Sequence, residues 1–493
     1  MIRPDAPFTA KLHDIAQLVG ATSIEGDVTI SGVAHVDSEV ESGDLFLALP
    51  GTRVHGASFI ESARKHGAVA VLTDEVGAEK SGDVPVIVVK DVRTAAAIAA
   101  ASLYRYPMRD LTTIGITGTN GKTTVSTLLY QIFQTVGRET GLIGTVETRI
   151  GSEILKSIRT TPEAPELQAL SAVMRERHMR HLVMEVSSHA LSMKRMKGSH
   201  FSIAAFTNLT QDHLDFHHDM ESYFAAKAEL FTPEYSELGF INIDSDYGKR
   251  LLEESKIPTI SISRSNAAAI WHFTEIHNVA RGVEFSLRGS GGILIESRTQ
   301  LIGGFNLDNL IMAIAIAVEC GVDPIEIAAI APTLTGAQGR LEPVALGQHF
   351  KALVDYAHSP DAVINVLSAA REFTQGKIIA VLGCGGDRDV TKRPLMGRAL
   401  ADGADVAIFT SDNPRSENPA DILKQMTSGL ELPRSAQIIE DRLEAIRAAV
   451  SLATDGDTIL ILGKGHEKGQ EIAGVINPFD DRIALAEAIE AKP

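Results

Sequence analysis

Apolar runs rich in valine and isoleucine alternate with amphipathic helical stretches along almost the whole chain. That rhythm predicts parallel sheets covered by helices, an α/β architecture. Residues 68–72 and 84–89 predict strands in the first section. Further on, residues 114–116 form a short apolar strand that enters a glycine-rich turn. After the turn, Val125, Leu128, Leu129, Ile132, Phe133 and Val136 recur at helical spacing. The most apolar stretch, residues 310–318, is too short to span a bilayer and ends at Glu319, so it predicts a buried helix. The rhythm breaks near residues 106–110 and 336–340. These breaks predict three domains, over 1–108, 109–338 and 339–493, which suits a chain of 493 residues. No repeat, coiled coil or long low-complexity segment is visible.

Polar residues follow the apolar runs in a regular way. Residues 181–186 run into Ser187, Ser188 and His189, and 204–207 lead to Asn208, Asp212, His213 and Asp215. Residues 378–382 lead to Asp387, Arg388 and Asp389, and 406–409 to Asp412, Asn413, Pro414 and Arg415. Residues 459–462 lead to Gly463, Lys464, Gly465, His466 and Glu467. Open α/β sheets bind ligands outside the carboxyl ends of their strands. Five such strand ends, together with the glycine-rich turn, predict a catalytic cleft assembled from two domains.

The turn itself reads Gly118-Thr119-Asn120-Gly121-Lys122-Thr123-Thr124. Successive backbone N–H groups and the positive end of the following helix form a cradle for phosphate. Lys122 adds a point charge on the outer phosphates, and Thr123 or Thr124 a hydroxyl for Mg²⁺. Ile116 stands where the usual phosphate loop has a small residue, so Gly118 must supply the turn. A generic Gly/Thr turn is the plain alternative. The position of Gly-Lys-Thr between strand and helix argues against it.

Composition narrows the partners. A formal net charge of −17 disfavours nucleic acid or an anionic membrane, and anionic ligands would need locally concentrated positive charge. Cys320 and Cys384 lack metal-like spacing and form no disulfide framework, which points to a reducing cytoplasm. The first residues show no basic segment followed by an apolar run, so neither an export signal nor membrane insertion is expected.

In this order the motifs resemble the Mur ligase family, the ATP-dependent amide-forming enzymes of peptidoglycan precursor synthesis, over essentially the full chain. The resemblance implies three domains. These are an N-terminal α/β domain for the uridine nucleotide, a central P-loop-type ATPase domain with a parallel sheet, and a C-terminal Rossmann-like domain for the incoming amino acid. It implies a cytoplasmic enzyme that takes ATP, Mg²⁺ and a UDP-N-acetylmuramoyl dipeptide; a monomer is expected. The implied reaction is attack of the D-glutamate side-chain carboxylate on the γ-phosphate, giving an acyl phosphate and ADP. An amine then attacks the acyl carbon, and the tetrahedral intermediate loses phosphate. Such chemistry demands Mg²⁺, lysine and backbone donors more than a strong nucleophile.

Site residues follow by the same resemblance. Lys122, Glu185, His213 and Lys227 are the implied catalytic set. Glu185 matches one Mg²⁺ ligand and His213 a ligand of a second, with Thr123 beside them. Lys227 matches a lysine that the family carbamylates, turning an ammonium into an anion able to bind Mg²⁺. Taken alone, His213 reads equally well as a solvated loop histidine and Lys227 as a surface lysine. The ATP set is Gly118 to Thr124 with Asn306, Asn309, Arg340, Asp355 and His358, although Asn309 also suits an ordinary helix start. Ser38, Thr52 and Arg53 align with the uridine-nucleotide region. Thr160, Thr161, Ser187 and Arg195 align with the muramoyl-peptide region. Glu39, Met193 and His218 depart from the family pattern there.

The amino-acid pocket is implied to hold Arg388, Asp412, Asn413, Pro414, Arg415, Gly463 and Glu467. A guanidinium grips a second carboxylate with two parallel bonds, so Arg415 favours meso-diaminopimelate and stands as an unpaired buried charge against lysine. Asn-Pro-Arg also suits a helix-entry turn with an exposed arginine. The lysine-adding version of the ligase, a folylpolyglutamate synthetase and a nucleotide-dependent regulatory switch are the rival readings.

Overall fold

A computed structural model describes residues 2–51, 54–279 and 282–492. Three large sheets follow one another along the chain, beside two small two-stranded ones among the described residues. The first has five strands in the order Ser23–Glu25, Val86–Val88, Ala70–Thr73, Asp44–Leu47 and Gly32–Ala34, all parallel except the first. Two expected strands are shorter than their apolar runs. The N–H of Ala68 closes the preceding helix on Ala63, and Val84 closes a turn on Ser81. Backbone groups used by a cap or turn are lost to the ladder.

The central sheet has eleven strands. Its core is six parallel strands: β1 (Thr112–Thr117), β2 (Thr140–Ile143), β3 (His181–Glu185), β4 (Phe201–Phe206), β5 (Ser236–Asn242) and β6 (Thr259–Ser263), in the order β2-β3-β1-β4-β5-β6. The apolar stripe after β1 forms helix α1 (Lys122–Thr135), which buries Val125, Leu128, Leu129, Ile132 and Phe133. It packs on α3 (Gly304–Glu319), and this second helix is buried from Leu310 through Ala317. Between them in sequence, α2 (Met220–Ala228) starts on Asp219, whose carboxylate accepts from the Ser222 N–H. The sheet is not wholly parallel as expected. Thr148–Ile150 and Glu153–Leu155 extend one edge, and a meander of Trp271–Val279, Gly282–Arg288 and Leu294–Thr299 extends the other, with antiparallel pairs in both. The outer half of Trp271–Val279 is exposed, so its sequence lacks the continuous apolar run of a doubly covered strand.

The last sheet is a Rossmann-like layer with β7 (Lys351–Asp355), β10 (Thr458–Leu462), β8 (Ile378–Cys384) and β9 (Val406–Ser411) in parallel, in that spatial order. Helix α4 (Pro360–Phe373) covers one face. Helices α5 (Arg442–Leu452) and α6 (Asp481–Glu490) lie together on the other. Arg442 and Asp481 form a fully buried pair, with two contacts of 2.7 Å. The same guanidinium donates to the carbonyls of Ser411 and Leu462, the last residues of β9 and β10. Asp441 caps α5 by accepting from the Glu444 N–H at 2.9 Å. Asp441→Ala is expected to lower stability by about 1 kcal/mol, the usual worth of such a cap. A urea midpoint equal to that of the parent chain would refute this role for the cap.

Candidate active site

The phosphate loop joins β1 to α1 with positive φ at Gly118 (+147°) and Gly121 (+89°). A Cβ on Gly118 would lie 1.9 Å from Thr207 Oγ1, and one on Gly121 would lie 2.3 Å from Asn309 Oδ1. Neither position tolerates a side chain, and Gly118 supplies the turn in place of Ile116. Asn208, after β4, ties the loop down: its Oδ1 accepts from the Asn120 N–H at 2.9 Å, and its carbonyl accepts from the Thr119 N–H. Lys122 donates to the Gly118 and Thr119 carbonyls, both at 2.8 Å. Burial pulls its pKa down, and nearby Glu185 opposes that shift.

Glu185 ends β3 and is fully buried. Its carboxylate accepts from the hydroxyls of Thr123 and Thr145, both at 3.0 Å, and from the Thr145 N–H at 2.8 Å. Every partner in this cage is a neutral hydroxyl or amide. A buried carboxylate held only by neutral donors is costly, and carboxylate and hydroxyl oxygens suit a hard divalent cation. Among the described residues no cluster of three or more His, Cys, Asp or Glu side chains is arranged for a metal. A cation here would therefore complete its shell from Thr123, carbonyls, water and substrate oxygens, the pattern typical of Mg²⁺.

Lys227 is not a surface lysine. It lies on the buried face of α2, 1% exposed, and donates to the Gly118 carbonyl at 2.8 Å, the same oxygen that Lys122 engages. Its Nζ sits 4.6 Å from the Tyr223 ring centroid. Burial, and then the charge of Lys122, push its pKa well below the ordinary lysine range, against the pull of Asp212. His213 occupies a left-handed position (φ +56°) on the loop after β4, 3.6 Å from Asp212 Oδ2 and edge-on to His189. It is exposed at the rim of the cleft.

On the other side of Glu185, Thr160 pairs with Thr145 through their hydroxyls at 3.0 Å. Thr161 donates to the Glu185 carbonyl at 2.8 Å and accepts from the Ser187 N–H. Ser187 caps the next helical turn. Arg195 donates to the Thr161 carbonyl and faces Glu163 at 2.9 Å, a carboxylate that Arg93 of the first unit also approaches at 3.3 Å. Ser38 is exposed in the short turn Asp37–Glu39. Thr52 and Arg53 lie outside the described residues.

A cavity of about 470 Å³ lies between the central and last units. Asn120, Gly121, Thr123, Thr124, Asn309, Arg340 and Asp355 line it, with Asp244 and Arg264 after β5 and β6. Strands lie about 4.8 Å apart, so the loop after β6 is three strands, roughly 14 Å, from the phosphate loop. That span suits a nucleoside triphosphate laid across the strand ends. Asn306 does not line the cavity: it is buried, with its amide donating to the Ile302 carbonyl. Arg340 stacks on Tyr356 at 4.7 Å. Asp355 accepts from the N–H groups of Leu341 and Ala357, which pins the inter-unit connection to the end of β7. His358 is also outside the cavity lining, and its Nδ1–H donates to the Tyr356 carbonyl at 2.9 Å.

The loops after β8, β9 and β10 converge next to this cavity. Asp412 is buried, and that burial raises its pKa, opposed by Lys464 and Arg442. Gly463 (φ +111°) leaves room for it, since a Cβ there would lie 2.6 Å from Asp412 Oδ2. Asn413 donates to Glu467 Oε2 at 2.8 Å. Pro414 is buried, and Arg388 is exposed at the rim. Arg415 is not in a simple helix-entry turn: its backbone is left-handed (φ +52°) and bridges to Ile472 on the hairpin Gly469–Ile472/Val475–Pro478. Its guanidinium donates to the Gly386 carbonyl at 2.7 Å and lies 3.4 Å from Glu471. The charge expected to be unpaired therefore has a partner, which softens its penalty against lysine. Sequence reasoning assigned no role to Thr145, Asp244, Arg264 or Glu471. Asn208, which ties down the phosphate loop, is marked in the sequence only as a polar residue at a strand end.

Models of the Mur ligase family match three stretches of the chain: its catalytic domain over residues 29–106, its middle domain over 116–317 and its glutamate ligase domain over 339–465. A protein of Streptomyces avermitilis named UDP-N-acetylmuramoyl-L-alanyl-D-glutamate–2,6-diaminopimelate ligase is 49% identical over 99% of this chain and 98% of its own. The solved structure of a ligase of that name aligns with a TM-score of 0.67 at 32% identity, covering 98% of this chain and 99% of that one. A Mycobacterium tuberculosis folylpolyglutamate synthase solved with ADP and AMPPCP shares the fold at 19% identity and TM-score 0.60, over 74% of this chain and 92% of its own. Family matches along three successive stretches, a matching fold and near-complete alignment with such relatives lead to one assignment: the chain belongs to the Mur ligase family.

Proposed function

We propose that this protein ligates meso-2,6-diaminopimelate to the D-glutamate side-chain carboxylate of UDP-N-acetylmuramoyl-L-alanyl-D-glutamate, with ATP converted to ADP and phosphate. The observation that carries the reading is the convergence of Asn413, Arg415 and Glu467 beside a cavity headed by the phosphate loop. The name of the 49%-identical relative supports it. In this reading residues 1–108 hold the uridine nucleotide, 109–338 hold ATP and 339–493 hold the amino acid.

The phosphate-loop N–H groups and Lys122 hold the β- and γ-phosphates, and Asn309, Arg340 and Asp355 frame the rest of the nucleotide. Thr160, Thr161, Ser187 and Arg195 orient the acceptor peptide so that its carboxylate meets the γ-phosphate in line. Backbone donors and Lys122 stabilise charge that accumulates on the phosphoryl oxygens. Thr123, Glu185, His213 and Lys227 are the residues that would hold Mg²⁺, which when bound supplies Lewis-acid neutralisation of those oxygens. Lys227 fits that set only as a carbamate. Its buried neutral amine attacks CO₂, forms the N–C bond and releases a proton, leaving an anion where an ammonium would repel a cation. Glu467 receives the ammonium of the amino acid, and Arg415 its distal carboxylate.

Purified protein given the uridine-linked dipeptide, ATP and a panel of diamino acids tests the reading. Tripeptide is expected from meso-diaminopimelate, with lysine a much poorer substrate. A preference for lysine would transfer the chain to the lysine-adding branch.

A further inference from the structure

We propose that Lys464 is the positioning residue of the amino-acid pocket, holding Asn413 and Glu467 in the orientation that receives the substrate. The inference rests on the ligase reading above, which assigns Asn413 and Glu467 to the pocket but gives Lys464 no part.

Lys464 follows β10 in the turn Gly463-Lys464-Gly465, and its side chain is 0% exposed. The ammonium bridges two loops: it donates to Asn413 Oδ1 after β9 and to Glu467 Oε2 after β10, both at 2.9 Å. These bonds settle which way the Asn413 amide faces. Its Oδ1 accepts from Lys464 and from the Glu471 N–H at 3.0 Å, so its Nδ2 must turn to Glu467 Oε2 at 2.8 Å. One oxygen of Glu467 thus takes both Lys464 and Asn413. The other, Oε1, remains to accept from the ammonium of an incoming amino acid.

The same bonds reach the distal end of the pocket. The Glu471 N–H anchored on Asn413 belongs to the hairpin strand whose carbonyl accepts from the Arg415 N–H at 3.0 Å. Lys464 therefore sits at the root of a chain that runs through Asn413 to the hairpin that holds Arg415. Burying an ammonium is expensive unless its donors are used. Behind it, the Arg442–Asp481 pair clamps the ends of β9 and β10, so the two loops that Lys464 bridges start from a rigid base. Fixing a binding group through locked neighbours is what a precise site requires.

Lys464→Met keeps the length and removes the charge. Steady-state kinetics should show KM for diaminopimelate raised about tenfold or more, with KM for ATP within about twofold of the parent value. In the Lys464→Met/Glu467→Gln double variant the rise should be smaller than the product of the two single rises, because the Lys464–Glu467 contact is lost in both. If Lys464→Met does not fold, as judged by thermal melting, Lys464→Gln carries the test, since it keeps an uncharged N–H donor group one bond shorter and should raise the same KM by less. An unchanged KM for diaminopimelate in either folded variant would overturn the proposal, as would effects that simply add in the double variant. Parent protein that forms no tripeptide from diaminopimelate would instead remove the ligase reading itself.

Discussion

Replacing Lys227 by alanine should lower kcat roughly a thousandfold, the scale of losing one preorganised electrostatic group from a site that stabilises developing charge. The argument starts from burial. Lys227 shares the Gly118 carbonyl with Lys122, and two ammonium groups on one oxygen repel each other. Burial, the larger cause, and then Lys122 push the pKa of the buried amine well below the ordinary lysine range, which favours its neutral form. A neutral amine is the form that adds CO₂, and a carbamate at this position would pair with Lys122 instead of opposing it. Short carboxylic acids such as acetate should restore part of the activity of Lys227→Ala by supplying the missing anion. Substantial activity in Lys227→Ala without any added acid would exclude the carbamate, as would a native mass or electron density of active protein showing a plain amine.

Arg415→Ala should raise KM for diaminopimelate by about 2 kcal/mol, roughly thirtyfold, the worth of a charge-assisted bond in a half-buried site. Discrimination against lysine should fall with it, because lysine has no distal carboxylate for the guanidinium to hold. The figure sits at the lower end for such contacts because Glu471, 3.4 Å away, already offsets the arginine charge. Equal kinetics of parent and variant with both amino acids would remove Arg415 from the pocket.

Much of this was legible from sequence because it is local. The phosphate loop needs only a strand, two glycines and a helix start within a dozen residues, and the structure has all three there. The strand ends at Glu185, Ser411 and Leu462 were marked by the switch from apolar to polar residues. What escaped is long-range. The burial of Lys227 depends on a carbonyl 109 residues away, and its own helix carries nothing that announces this. Asn413 and Lys464 stand 51 residues apart and meet only because β10 and β9 flank β8 in the folded sheet. The counter-ion of Arg415 comes from a hairpin that its flanking sequence does not reveal. The antiparallel edges of the central sheet escaped for another reason. Their exposed faces interrupt the apolar runs on which the strand reading relied.

Phosphate release is the most direct test of the idea that one cleft couples ATP to amide formation. With ATP and the uridine-linked dipeptide present, phosphate should appear only when diaminopimelate is added, in equal amounts with tripeptide. Sustained phosphate release without an amino acid, or tripeptide formed without ADP, would contradict the account.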